Sequence, residues 1–535
     1  MAANYEKSVF RQLEDEIKAH EESKARIGAM SIEISKLKDE MAAVQAKHED
    51  DIQQALKAAV EEAVKKASEP LIQEIMRLKA IIEKGSSTSS KPPSSDGFKK
   101  TKSAQNSREK TGKKAGAQKG HKGHKLELPD NIDELIANGS VAYNVVEHGD
   151  CNGAYTSKYE VGIQIKATIT EHRYPDGSKV PPEHANSVFY GDSVKALAIL
   201  LNNGGFVAYE RLGELIGQLT NGLCEPSEGM LAALMPSFAK KLEGELEAIK
   251  QALVNSAVLN TDETPMSTTQ KMQYAKCGKA GCGQDNKSCS MDCGEPEIAS
   301  TEGKGETMQA YARTYSSPSA TLYKAQARKD AGGVLRDGIL PNFIGTLSHD
   351  HDIKMYRLGS AHSTCCPHLC RELKGLEKLY NIEWAEQAQS FFYKMNSHKK
   401  ADLQQGRSEC SPEALEAFMA EYGETVLEGW EAYKELGEKG FGASNLAAIL
   451  KRLETYKDSY TLFIRGYSAP FSNNLAERDL RMVKAKLKIS GCFRSWVGLE
   501  SFLTIRSFIS TVRKRGLGVL ESIEKVLKGE SALAF

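Results

Sequence analysis

Asp262, Asp350 and Glu477 are the residues of this chain best placed to do chemistry. Asp262 follows the apolar run Ala257 to Leu259 in NSAVLNTDETP, a pattern that predicts a buried strand delivering a carboxylate at its end. Asp350 ends a second such run, FIGTLSHDHD, between His349 and His351, which could orient it, contact phosphate or be satisfied by local hydrogen bonds. Glu477 lies on a late helix, in SNNLAERDLRMVKAKLKISGCFRS. Phosphoryl transfer on nucleic acid uses two hard cations roughly 3.5–4 Å apart, which activate the attacking oxygen and stabilise the leaving one. Two magnesium (or manganese) ions suit a three-carboxylate set, because such cations prefer carboxylate oxygen and keep water positions for a substrate phosphate. Three acids out of 71 are weak evidence alone, so the elements that carry them decide their meaning.

The helix carrying Glu477 sharpens the case. At 3.6 residues per turn, Asn473, Glu477, Arg481, Lys484 and Lys488 share one face, while Ala476, Leu480, Val483 and Leu487 share another. One face can pack while the other meets DNA, with Arg481, Lys484 and Lys488, flanked by Arg478 and Arg494, holding backbone phosphates that lead away from the carboxylates. The plainer alternative is a surface helix with solvent-exposed i,i+4 pairs.

Around these residues the chain changes character several times. Residues 1–84 read as helix, and Ile27, Met30, Ile34, Leu37, Met41 and Val44 form a seam with coiled-coil spacing, which predicts pairing between subunits; a helix folded onto its own chain is the alternative. Pro70 opens a second helix there. Residues 85–128 are rich in Ser, Pro, Gly and Lys and can form no core. Their Lys113, Lys114, Lys119, His121, Lys122 and His124 belong to a cationic arm suited to phosphate backbone, or else to a solvated linker. Residues 129–188 alternate in short runs such as YEVGIQIKATITEHRY and predict a small strand-rich module. Residues 189–253 predict short helices, with Ser227 as an N-cap, compatible with a helix-turn-helix or with an ordinary bundle. A catalytic unit begins over 254–376, a helical insertion with Ser411 as N-cap fills 377–460, and 461–535 returns the Glu477 helix and a more apolar one.

Hydrophobic residues at 40% and charged ones at 27% exclude a wholly disordered or collagen-like chain. No apolar run approaches the roughly 20 residues that cross a bilayer, and MAANYEKSVFRQLEDE lacks a signal peptide's apolar core, so no membrane partner and a cytoplasmic location are expected. Lys plus Arg and Asp plus Glu are both 71, so net charge predicts no partner and only its distribution is informative. Eleven unevenly spread cysteines suit thiols or metal ligands better than disulfides.

These blocks, in order, resemble the insertion-sequence-66 family of bacterial transposases: SSKPPSSDG, KKAGAQKGHKGHKLELPD, YGDSVKALAILL, TDETP, LSHDH, CCPHLCREL and SNNLAERDLRMVKAKLKISGCFRS. The resemblance implies a multi-domain α/β protein with an RNase H-like DDE catalytic core, interrupted by helices and preceded by a coiled coil and a helix-turn-helix-containing region. It implies Asp262, Asp350 and Glu477 as catalytic acids for magnesium-dependent DNA cleavage and strand transfer. DNA would be the partner, as terminal inverted repeats and target, with self-association, accessory proteins of the same element, and a place on the bacterial chromosome. The alternatives are a catalytically silent DNA-binding derivative and an RNase H-like nuclease without strand transfer. Cys365, His368, Arg371 and Glu372 match the family's C-x-x-H-x-x-R-E pattern; Cys365 and His368 supply only two of zinc's four ligands, so packing and DNA-facing roles are expected. The family's usual cysteine-rich element before the helix-turn-helix is reduced to Cys151. Instead Cys277, Cys282, Cys289 and Cys293, in an insertion over 272–305, could close a structural zinc site.

Overall fold

The strand that carries Asp262 is longer than its apolar run, because Thr261, Thr264 and Thr268 favour extended backbone well past Leu259. In the computed structural model it is β1, Val258–Thr268, at the centre of a five-stranded sheet. The described residues are 126–535 except 140, 149–155, 176, 178, 270, 275–295, 300–307, 330, 438 and 439, together with helical positions between 16 and 36 and between 62 and 78. β2 (Lys271–Tyr274) and β3 (Pro296–Ala299) pair as a separate ribbon. β4 (Met308–Ser316), β5 (Thr321–Gln326), β6 (Thr346–His349) and β7 (Ala361–Thr364) complete the sheet in the order β5-β4-β1-β6-β7. β1, β4 and β5 are antiparallel, whereas β6 and β7 run parallel to β1. The β1–β6 ladder covers only Val258, Leu259 and Asn260, so β1 has a free side just where Asp262 sits, and Pro265 is tolerated beyond it.

Fourteen α-helices are described between Ile132 and Leu527. α1 (Ile132–Ala137) stands alone before α2 (Asp192–Ile199), α3 (Tyr209–Leu219), α4 (Glu228–Lys241) and α5 (Glu243–Val254). α6 (Ala331–Arg336) lies between β5 and β6. A helical block follows: α7 (Cys366–Tyr380), α8 (Trp384–Gln404), α9 (Pro412–Glu435), α10 (Phe441–Thr455) and α11 (Lys457–Arg465). α12 (Asn474–Ser490), α13 (Trp496–Lys514) and α14 (Val519–Leu527) end the chain. Ser227 and Ser411 do cap α4 and α9, accepting from Met230 N at 3.3 Å and Ala414 N at 3.2 Å.

The sheet has unlike faces. Residues of even number on β1, from Asn260 to Met266, face α12, where Ala310 and Ala312 leave room for Leu480 and Val483. Leu259, Tyr315, Leu322 and Leu347 join a second core with the helices over 192–254 and the later half of α13. The edge strand β5 is covered by α13, whose Thr511 and Ser507 hydroxyls accept from Thr321 N at 3.0 Å and Tyr323 N at 2.8 Å. The helical block has its own core of Trp384, Phe392, Tyr422, Leu450 and Phe463, which begins at Cys366 on α7. Gly429 is required there: a Cβ would lie 2.4 Å from Leu450 and 2.8 Å from the Trp384 ring.

Two expectations meet a different structure. No strand forms among the described residues of 129–188; residues 156–175 run without a ladder partner, leaving Val161, Ile163 and Ile165 exposed. Their alternation supplies one apolar face, but a lone strand has nothing to pair with. Near the N-terminus, Arg77 lies 3.3 Å from Glu16, so the helical segments meet within one chain, as in the folded-back alternative. Of the seam, Ile27 and Met30 are helical, and Ile34, Leu37, Met41 and Val44 lie outside the described residues, as do Pro70 and the arm from 79 to 125.

A buried carboxyl beside the sheet gives a pH test. Tyr315 Oη and Gln326 Nε2 both donate to Asp337 Oδ2 at 2.7 Å, yet burial outweighs them and raises this carboxyl from 3.8 to about 6. Between those values the folded state holds a proton the unfolded state has released, so stability falls as pH rises from about 4 to 6, by up to about 3 kcal/mol. Asp337→Asn keeps an acceptor for both donors, and urea midpoints measured across this range should lose that slope relative to the unsubstituted protein.

Candidate metal centre

Strand alternation separates the acidic pair in the middle of β1. Asp262 turns toward α12, whereas Glu263 turns to the other face and ion-pairs with Arg313 and Lys329. Asp350 follows β6, and Glu477 stands on the first turn of α12. Asn473, fully buried before α12, ties these elements together. Its Nδ2 donates to Thr261 O at 2.8 Å and Asp350 Oδ1 at 3.3 Å, its Oδ1 accepts from Asn260 Nδ2 at 3.1 Å, and its backbone N–H donates to Cys365 Sγ at 3.2 Å. The sequence placed Asn473 on the Glu477 face without assigning it this joining role; the signal was its position one turn before Glu477.

The three acids act on each other electrostatically. Burial, then the charge of Asp350, raises the Asp262 carboxyl well above its usual range; Lys484 opposes this and Glu477 adds to it. Burial also acts to raise Asp350, but His368, Asn473 and Arg371 outweigh it and hold that carboxyl below its usual value. Such a cluster has a deficit of positive charge that a cation would relieve, which fits these residues to a divalent ion.

The motif after the second acid reaches the same place. Cys365 ends the β7 connection and His368 lies on the first turn of α7, with Nδ1 3.3 Å from Asp350 Oδ1 and 3.8 Å from Glu477 Oε1. Arg371 NH2 is 3.9 Å from the same Glu477 oxygen. One ligand atom from each of Asp350, Cys365, His368 and Glu477 lies within 4.8 Å of all the others. The segment expected to pack and face DNA does pack, through Cys366, Leu369 and Leu373, while Cys365 and His368 line the acidic cluster and Glu372 turns away to pair with Arg452.

His349 and His351 do not reach the cluster. His349 is 1% exposed, with neither ring nitrogen hydrogen-bonded, and its ring meets Tyr356 and His362 edge-on. Burial pushes it down to about 3, which keeps it neutral. His351 Nδ1 is 2.9 Å from Tyr356 Oη, the locally satisfied alternative.

Among the expected DNA contacts, Arg478, Arg481, Lys488 and Arg494 are exposed, and Lys484 is half-buried on the Glu477 face. On α4 the outward positions of the first two turns are Glu228, Gly229, Ala232 and Ala233, which offer phosphate no cation. Lys113, Lys114, Lys119, His121, Lys122 and His124 lie outside the described residues, as do Cys277, Cys282, Cys289 and Cys293.

Carboxylates from the middle of β1, just past the carboxyl end of β6 and the start of a facing helix, with a thiol and an imidazole beside the last two, make a group that could hold a metal ion. Residues 286–501 match the family described as Transposase IS66 family, a span that includes Asp350, Cys365, His368 and Glu477 and begins after Asp262. Residues 286–501 are therefore similar to the insertion-sequence-66 family of transposases. Residues 16–127 match a Family of unknown function (DUF6444). No curated protein and no solved structure matches the chain. Among the described residues, no helix is long and apolar enough to cross a membrane.

Proposed function

We propose that this protein is a transposase of the insertion-sequence-66 family that cuts and joins DNA by a DDE mechanism on an RNase H-like core, binding the ends of its own element. The convergence of Asp262, Asp350 and Glu477 from β1, β6 and α12 carries this reading. A central strand bearing the first acid, two antiparallel neighbours on one side and two parallel strands on the other support the RNase H-like assignment. Asp262, Asp350 and Glu477 would hold magnesium, which when bound supplies charge stabilisation and an activated oxygen nucleophile.

The chain's own residues do the rest. Asn473 fixes Asp350 against β1, and His368 and Arg371 set the Glu477 side chain from α7. Arg481, Lys484 and Lys488 follow Glu477 along one face and would seat successive phosphates. Water would attack a phosphodiester at the element's end, and the freed 3′-hydroxyl would then attack target DNA in the same site. The cationic arm over 85–128 is assigned to holding the element's ends. Self-association through 1–84 would pair two ends, and exposed Ile27, Ile32 and Ile72 supply apolar surface for it.

The test is magnesium-dependent cleavage and joining of labelled DNA carrying the element's ends. Cleavage and joined product are expected from the unsubstituted protein and neither from Glu477→Gln. Cleavage unchanged in Glu477→Gln would overturn the catalytic assignment, and cleavage without joined product would reduce the activity to a nuclease.

A further inference from the structure

We propose that Asp350, Cys365, His368 and Glu477 form a four-ligand site for one zinc ion, which excludes magnesium from the same pocket. The inference rests on the reading of Asp350 and Glu477 as magnesium ligands for its regulatory consequence, but not for zinc binding itself. Cys365 and His368 alone offer two ligands; the fold adds two carboxylates from β6 and α12 to complete a tetrahedral complement. Ligand atoms about 2.0–2.3 Å from a tetrahedral zinc lie roughly 3.3–3.7 Å from one another. The His368 Nδ1 separations of 3.3 Å and 3.8 Å from the two carboxylates are close to that spacing without any ion.

A second observation points to a ligand. His368 is 8% exposed, and its Nδ1 is aimed between the two carboxylates, near both but without good hydrogen-bond geometry to either. A buried ring nitrogen held between two carboxylates without a well-formed hydrogen bond is better satisfied by a cation that all three groups share. Cys365 is 1% exposed and receives the Asn473 N–H at its sulfur, a contact that favours thiolate once a cation replaces the thiol proton.

Donor chemistry separates the two ions. Magnesium takes oxygen and leaves thiol and imidazole unused, whereas zinc favours sulfur and nitrogen and binds all four groups. Zinc occupancy engages Asp350 and Glu477, leaving Asp262 without its two partners, so it switches cleavage off. The group His398, Asp402 and Cys410 makes a useful contrast. There the Asp402 oxygens already accept from Tyr467 Oη at 2.5 Å and Arg407 NH1 at 2.9 Å, the signature of a finished hydrogen-bond network.

The experiment is zinc binding by the full chain in the absence of DNA, by equilibrium dialysis after chelator treatment, with cobalt as a spectroscopic probe. Cys365→Ser should bind one zinc fewer per chain and lose the corresponding thiolate-to-cobalt charge transfer. His368→Gln should keep that charge transfer but bind more weakly at this site, by at least the roughly 10–100-fold that loss of an outer-shell partner alone costs. Equal zinc number and affinity in all three proteins would overturn the proposal, whatever the cysteines over 277–293 bind. Metal-free thermal midpoints identify a variant that has failed to fold, and the other variant then decides. In the cleavage assay, zinc should inhibit the unsubstituted protein at least tenfold, and Cys365→Ser less than twofold relative to its own zinc-free rate. Equal inhibition of both would overturn the switch. Zinc binding without magnesium-dependent cleavage would leave the site standing and remove the nuclease reading, so the two failures are distinct.

Discussion

Asp262→Asn is expected to lower cleavage by about 10³-fold or more, equivalent to roughly 4 kcal/mol of transition-state stabilisation, while DNA affinity changes by less than about threefold. The substitution keeps the shape of the side chain and removes one anionic oxygen from the site. Arg481, Lys484 and Lys488, the cations proposed to seat phosphate, remain on α12, so binding should persist. Stability should move the other way. Burial and the charge of Asp350 hold the Asp262 carboxyl well above its usual range, so its ionised form is strained at neutral pH and the amide relieves that strain. The neighbouring substitution Glu263→Gln is the control: it weakens the buried pair with Arg313 on the opposite face and should cost thermal stability. Gel assays of cutting and filter binding, run beside thermal midpoints, check both signs. Normal cutting by Asp262→Asn would overturn the role given to this strand.

How much of this was readable beforehand differs by element. The apolar run before Asp350 marks the end of β6, whereas the run before Asp262 marks only the first residues of a strand that continues to Thr268; the two-face pattern from Asn473 to Lys488 marks α12, because burial imposes a period that sequence displays directly. Strand alternation also separates Asp262 from Glu263 once the face toward α12 is known. Long-range convergence is another matter. Cys365 and His368 lie 112 and 109 residues from Glu477 in the sequence, and nothing local says that α7 and α12 begin side by side. Spacing alone therefore gave two zinc ligands where the fold offers four. Asn473 was hidden for the same reason, since its partners Asn260, Thr261, Asp350 and Cys365 come from three other segments. The opposite failure occurred over 156–175, where Val161, Ile163 and Ile165 carry a strand's alternation but no ladder forms, because pairing requires a partner that periodicity cannot supply.

The largest expected effect on stability belongs to Asp479, two residues beyond Glu477 on the packed side of α12. Its Oδ2 accepts from Ser316 Oγ at 2.7 Å, Thr321 Oγ1 at 2.9 Å and Lys514 Nζ at 2.7 Å, and its backbone oxygen accepts from Tyr323 Oη at 3.0 Å. One carboxylate thus ties the Glu477 helix to β4, to β5 and to α13. Asp479→Ala leaves the Lys514 ammonium 13% exposed with only the Ser317 and Ala320 carbonyls as partners, takes the acceptor from the Thr321 hydroxyl and leaves the Ser316 hydroxyl only Thr314 Oγ1. Removing one member of a buried ion pair typically costs about 3–5 kcal/mol, and the thermal midpoint of the catalytic domain should fall accordingly. Asp479→Asn retains an acceptor and should cost less. Replacing both members, Asp479→Leu with Lys514→Met, should recover part of the loss, because no unpaired charge remains. Cleavage should fall with the single Ala substitution even below its melting range, since α12 loses the tie that sets Glu477 against Asp350 and His368. A single variant as stable as the unsubstituted protein would show that the apolar contacts of Leu480 and Val483 hold α12 unaided, and that Glu477 owes its position to them rather than to the buried charge.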